Sequence, residues 1–237
     1  MFKKQKKNRF YKSTIIIAFV MGFIPLMEIF ISSANAIEFP NAPKRESPQS
    51  TAAGGRRGGC VRGNLPITPL TPSNDNFIKT ISSQPQFFVY IPPTQAKFAQ
   101  FILREENGKD LDIQEIPITA TDQIITINVS NKINLETDKK YVWEISLICN
   151  PMFINTSNHT KGMIEKVSLE ENINNQLSTN LDNLQRAQIL ANEGVWQDTL
   201  SLVATLKESQ PKQWQELLTS VGLDALLDKN LVKSSEN

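Results

Sequence analysis

The stretch LETDKKYVWEISLIC, residues 135–149, decides how the chain is read. After its polar start it alternates. Tyr141, Trp143, Ile145, Leu147 and Cys149 fall on one parity; Val142, Glu144, Ser146 and Ile148 fall on the other. A period of two, rich in aromatic and β-branched residues, marks a strand with one face buried. Similar runs lie upstream. QFFVYI at 86–91 stops at Pro92-Pro93. KFAQFILREE at 97–106 sets Ala99, Phe101 and Leu103 on one face, and Asn107-Gly108 is a strong hairpin signal. The return strand is then KDLDIQEIPI at 109–118, with Leu111 and Ile113 together on one side. QIITINV at 123–129 places Ile125, Ile127 and Val129 together, and GMIEKVS at 162–168 follows the central stretch. Residues 67–80 read as a poorly patterned first strand. Short strands at this spacing, without helices between them, predict an antiparallel β-sandwich over 65–170.

From residue 171 the period changes to about 3.6. Ile173, Leu177, Leu181, Leu184 and Leu190-Ala191 form one stripe that ends before Gly194. Trp196, Leu200, Val203 and Leu206 form the next. Pro211 restarts a helix carrying Trp214, Leu217, Leu218 and Val221. The fold class expected is therefore α+β: a sandwich followed by a helical subdomain over 171–227, with 228–237 as a frayed tail. LANEGVWQDTLSLV at 190–203 resembles one helix-turn-helix unit of a tetratricopeptide repeat. No second copy exists, and such arrays need about three units. A helical hairpin packed on the sandwich, or on its own third helix, is the simpler reading.

Leu135 precedes Tyr141 by six residues across a polar turn, and Trp143 follows on the same face. This resembles the tyrosine corner of fibronectin-III-like and immunoglobulin-like domains, where a tyrosine hydroxyl near the start of the penultimate strand bonds back to the preceding turn. Leu135, Tyr141 and Trp143 are structural candidates on this reading. The alternative is an aromatic strand with no such corner.

The N-terminus reads as an address. Residues 1–14 carry Lys3, Lys4, Lys6, Lys7, Arg9 and Lys12, an apolar run spans Ile15–Ile31, and Ala34-Asn35-Ala36 is a small-x-small site. That order defines a secretory signal peptide over 1–36, cleaved after Ala36. The rival is an uncleaved anchor, which Pro25 and Glu28 in the apolar run disfavour. Localisation is then extracytoplasmic, periplasmic or secreted, with membrane contact only through an uncleaved leader.

Formal charge over the 237 residues is +1. The leader holds six of the 25 basic residues and one of the 24 acids, so the remainder stands at net −4. A mildly acidic exported chain is a poor match for nucleic acid or anionic lipid. Cys60 and Cys149 both lie beyond the leader, and an even count in an exported protein favours a disulfide over two separate thiols.

Residues 37–64 contain FPNAPKRESP and TAAGGRRGGC and read as a flexible linker. GGRRGG lacks the Lys-Ser/Thr of a phosphate loop. The single histidine, His159, sits in the polar run NTSNHT without a neighbouring Cys or acid, and surface placement is the simplest reading. Glu105-Glu106 and Glu170-Glu171 are adjacent pairs, which a strand points to opposite faces. There is no GxSxG, HExxH, EF-hand loop or paired CxxC. No catalytic, metal-binding or cofactor-binding residue is singled out, and no cofactor is expected.

Taken in order, GRRGGC at 55–60, LTP at 70–72, PQFFVYIP at 85–92, FILREENGKDL at 101–111, LETDKKYVWEISLICNP at 135–151, KGMIEKV at 161–167 and NEGVWQDTLSLVATL at 192–206 resemble an exported cyanobacterial family, domain of unknown function 928. The resemblance spans about residues 55–227. It departs at Asn150, where the family often has an acid, and in the polar insertion around 152–160. The resemblance implies a β-rich part, a helical C-terminal part and an extracytoplasmic location, and transfers no catalytic residue. The expected role is a non-enzymatic interaction or structural module binding an envelope protein through the sandwich edge or the helical groove. The alternative is a small-ligand or glycan binder, or a hydrolase, whose residues converge only in three dimensions.

Overall fold

The computed structural model describes residues 36–40, 60–72, 75–149 and 158–233. Among the described residues, nine strands and four α-helices follow in order: β1 (Thr68–Pro69), β2 (Phe77–Thr80), β3 (Gln86–Ile91), β4 (Phe98–Glu105), β5 (Asp110–Pro117), β6 (Gln123–Asn128), β7 (Lys139–Ile148), β8 (His159–Lys166), α1 (Glu171–Leu177), α2 (Asn183–Asn192), α3 (Trp196–Leu206), α4 (Pro211–Ser220) and β9 (Leu231–Lys233). The fold is mixed α/β, with two antiparallel-rich sheets and the helices C-terminal. One sheet has the order β1-β3-β6-β9 and the other β2-β8-β7-β4-β5.

The alternation of 140–149 sets the core. Tyr141, Trp143, Ile145 and Leu147 are buried, and the register pairs Trp143 with Leu103 and Gly162 across β4 and β8. A Cβ on Gly162 would stand 2.3 Å from the Asn76 carbonyl and 2.5 Å from the Trp143 ring, so β2 and the indole can close over this strand only at glycine. Phe87 on β3 faces the same core, its ring centroid 5.1 Å from Phe101 and 5.7 Å from Trp143. Phe88 and Tyr90 alternate to the other face and are also buried. There Trp196 Nε1 donates to the Leu70 carbonyl at 2.8 Å, Gln197 Nε2 donates to the Gln86 carbonyl, and Lys229 Nζ lies 5.6 Å over the Tyr90 ring. Burial on both faces explains why QFFVYI and QIITIN are nearly continuous apolar runs.

Several expectations are corrected. Strand pairing is not wholly antiparallel, since β2 runs parallel to β8 and β9 parallel to β6. Residues 67–80 form two strands, in different sheets. Along β5 the side carrying Leu111 and Ile113 is not the buried one: Asp112 and Ile116 are buried, Leu111 is half-buried against the core and Ile113 is 57% exposed. A register shift at Leu103/Arg104 sets which residues of β5 point inward. Asp112 is tolerated inside because its carboxylate accepts the Ser130 N–H at 2.9 Å and the Gln114 Nε2 at 2.8 Å.

The stripe expected from Ile173 to Ala191 is broken at 178–182. Asp182 caps α2 there in a capping box with Gln185. Two boundaries also move. Ile37 and Phe39 are buried, and Cys60 and Val61 are held by Thr94, so the ends of 37–64 are packed rather than flexible. Residues 41–59 lie outside the described residues. The tail is not frayed over 229–233: Asn230 accepts the Ile124 N–H at 2.7 Å and β9 extends the sheet. Among the described residues, the buried side chains of both sheets and of the helices form one hydrophobic core.

Candidate functional site

The outer face of the five-stranded sheet is built from the parity opposite the core. Registers place Phe77, Met163, Val142 and Arg104 in one row. Glu144, Ile102 and Ile113 form another, and Ile148, Phe98 and Pro117 a third. Phe98 is 39% exposed and Ile113 57% exposed, both large apolar side chains on neighbouring strands of one face. Ile102 beside Ile113, and Val142, Met163 and Phe77 in the next row, are half-buried, while the row of Ser146, Gln100 and Glu115 separates Ile113 from Phe98. Charges frame the stripe. Arg104 pairs with Asp110 at 2.5 Å and Glu144 at 3.2 Å, and Lys140 stands 6.0 Å over the Phe77 ring.

The edge beside this face is guarded. β5 ends at Pro117 and carries the inward Asp112, two devices that hinder addition of another strand. The helical face beside α4 is filled from within: the Phe39 ring meets Trp196 edge-on at 5.0 Å, and the Phe39 N–H donates to Ser220 Oγ at 3.0 Å.

A polar hollow lies at the β4–β5 turn, lined by Glu105, Glu106, Asn107, Asp138, Lys139, Lys140 and Tyr141. Several of its groups are already engaged. Glu105 accepts from Asn107 Nδ2 at 2.8 Å, and Lys139 pairs with Glu136 at 2.8 Å, which raises its pKa. Tyr141 Oη accepts the Glu136 N–H at 2.9 Å, with Leu135 and Trp143 buried beside the turn. The tyrosine thus ties the start of β7 to the turn before it.

Cys60 and Cys149 form a disulfide with Cα atoms 5.5 Å apart. It fastens the segment before β1 to the end of β7. Ala36 is exposed at the start of the first described segment. Burial pushes the Asp198 carboxyl upward, against the hydrogen bonds from Thr80 Oγ1 at 2.7 Å and the Ile81 N–H at 3.0 Å that pull it down. Asp122 is lowered by Lys229 and Tyr90, each bonded to it at 2.6 Å, and Tyr90 is correspondingly raised by burial and by Asp122.

His159 begins β8 opposite Ser146, and its Nδ1 is buried with no hydrogen-bond partner. Among the described residues no three His, Cys, Asp or Glu side chains group to hold a metal ion, and no helix is long and apolar enough to cross a membrane. Sequence reasoning missed Phe98 and Ile113 as an exposed pair. Phe98 falls on the parity opposite Ala99, Phe101 and Leu103, whereas the face of Ile113 could be assigned only once Asp112 was known to point inward.

These features define a disulfide-linked, β-rich chain whose most accessible large apolar groups lie on a sheet face. Residues 52–231 match the family described as Domain of Unknown Function (DUF928), and the chain belongs to it. Among curated proteins none matches.

Proposed function

We propose that the protein is an exported, non-enzymatic interaction module that holds an envelope protein against the outer face of its five-stranded sheet. The observation that carries this is the exposure of two large apolar side chains, Phe98 on β4 and Ile113 on β5, on one sheet face, with half-buried Ile102 beside Ile113, Val142 in the next row, and the polar pair Gln100 and Glu115 between Ile113 and Phe98. Apolar side chains grouped on a polar-rimmed face favour association. The guarded β5 edge and the filled helical face direct the partner to the sheet face. Export is supported by the basic, apolar and small-residue order of residues 1–36 and by the Cys60–Cys149 disulfide.

The immunoglobulin- or fibronectin-III-like reading belongs to the same proposal. It is supported by β1-β3-β6 against β8-β7-β4-β5, the strand neighbours of such sandwiches, and by the Tyr141 bond at the start of the penultimate sandwich strand. A small-ligand or glycan site would need convergent free groups, whereas in the polar hollow Glu105 is engaged by Asn107 and Lys139 by Glu136.

The test introduces Phe98→Glu together with Ile113→Lys. Crosslinking in the native envelope should give one or more defined adducts with the wild type, reduced at least tenfold in the double variant. Unchanged adducts, with the variant folded by circular dichroism, would refute the sheet-face assignment.

A further inference from the structure

Ala36 is exposed, and the chain then turns inward. Ile37 is 1% exposed and Phe39 is buried, while Glu38 and Pro40 face solvent. The Ile37 N–H donates to Gln213 Oε1 at 3.3 Å, and the Phe39 N–H donates to Ser220 Oγ at 3.0 Å. The segment therefore runs along α4. Gln213, Glu216 and Ser220 stand at i, i+3 and i+7, one face of that helix. Between the two anchoring residues, Glu216 keeps Oε2 buried with no hydrogen-bond partner, while its Oε1 lies 3.3 Å from Lys212 Nζ. A buried carboxylate oxygen without a donor is costly to retain.

We propose that Glu216 is the built-in receptor for the α-ammonium of Ile37, completed when the leader is removed. The proposal rests on the reading of Ala36 as the cleavage site. Hydrolysis by an external leader peptidase adds water across the Ala36–Ile37 amide. Ala36 leaves as a carboxylate on the leader, and the Ile37 nitrogen takes up protons to become an ammonium. A nitrogen that offered one N–H now offers three. One stays on Gln213 Oε1, and a second reaches Glu216 Oε2 by rotation of the Glu216 side chain, whose Cβ lies one turn away. The product segment is locked onto α4 by charge as well as by the apolar Ile37 and Phe39. Among the described residues, the charged groups on the elements packed here include Glu216 and Lys212 on α4, exposed Glu38 on the segment itself, Asp198 on α3, whose carboxylate is turned to Thr80 and Ile81, and Lys207 beyond α3, whose Nζ is 5.7 Å over the Trp214 ring.

The pairing has a sign that burial alone does not give. A buried ammonium without a partner titrates low; one paired with a carboxylate titrates high. Protein beginning at Ile37 is released from a fusion by a site-specific protease, and its α-amine pKa is read from the pH profile of acylation. The expected value lies above the ordinary range of about 7.7–8.0. Glu216→Gln should lower it by about one unit or more, a tenfold change in acylation rate at fixed pH. Lys212→Ala keeps the carboxylate and should not lower it. Protein retaining Ala36 should show an ordinary amine, indifferent to Glu216→Gln. An Ile37 amine with an ordinary or lowered pKa, or one unmoved by Glu216→Gln, overturns the pairing. The intact mass of the exported protein tests cleavage separately, because the pairing is measured on chains whose start is fixed.

Discussion

Tyr141 acts on the fold through its oxygen as well as its ring. The ring lies in the core, and the hydroxyl accepts the N–H of Glu136, a backbone donor in the turn before β7. Tyr141→Phe keeps the packing and orphans that donor, so it should cost about 1–2 kcal/mol. Denaturant midpoints at equal m-value measure it, and a loss under about 0.5 kcal/mol would leave the bond without weight. Asp198 acts in the opposite sense. Its folded pKa is raised by burial above the ordinary carboxylate value of 3.8, so the folded state holds the proton more tightly than the unfolded chain. Its contribution is fully present below the unfolded pKa and is lost as pH rises through the folded pKa. An asparagine at this position would offer one oxygen to both Thr80 and Ile81 without a charge. Asp198→Asn should therefore gain on the wild type as pH is raised from about 4 through the folded pKa, a trend read from parallel denaturant titrations. A constant difference across that range would contradict the burial of the charge.

The elements that the sequence made legible are those where local pattern and tertiary environment agree. The alternation of 140–149 gives β7 and its buried parity directly, and Pro211 with Gly222 brackets α4. Elements decided by distant partners were not legible. β5 carries its apolar Ile113 outward because Asp112 is needed as an acceptor for Ser130, a contact no window along the strand contains. β9 is three residues in a polar tail, and its pairing is set by the open edge of β6. Ile37 and Phe39 looked like linker because their partners lie over 170 residues away. The tail gives a prediction at this scale. Deleting residues 229–237 removes the Asn230 acceptor of the Ile124 N–H and frees Asp122 from Lys229. The loss should be about 1–3 kcal/mol, mostly from the reopened sheet edge, because the Asp122–Lys229 pair is partly exposed and screened. Amide exchange at Ile124 should quicken far more than at Phe101. Equal protection of Ile124 in both chains would show that β9 adds nothing.

Across the molecule, the sheets and the helices are joined by buried polar bonds as well as apolar contact. Trp196 Nε1 holds the Leu70 carbonyl, Gln197 holds that of Gln86, and Asp198 holds Thr80 and Ile81. Three consecutive residues at the start of α3 thus bind three separate points of the β-rich part. If α3 left, those carbonyls, the Thr80 hydroxyl and the Ile81 N–H would need water, and the faces of Phe88, Tyr90 and Trp196 would be exposed together. Apolar burial of that kind stabilises by about 1.5–3 kcal/mol for each large side chain, so partial unfolding at this junction costs a large share of an ordinary domain's roughly 5–15 kcal/mol. The disulfide adds a further constraint by closing a loop with a sequence separation of 89, for which chain entropy gives an upper guide of about 4.6 kcal/mol. The expected outcome is one cooperative transition. Helical circular dichroism, which reports α2 to α4, and near-ultraviolet signals from Trp143, Trp196 and Trp214 should share one midpoint and one m-value, with the disulfide intact. A chain ending at residue 170 should fail to give that transition, because the face that α3 covers would be open. Two separated midpoints, or a folded chain ending at 170, would mean that the β-rich and helical parts are independent domains.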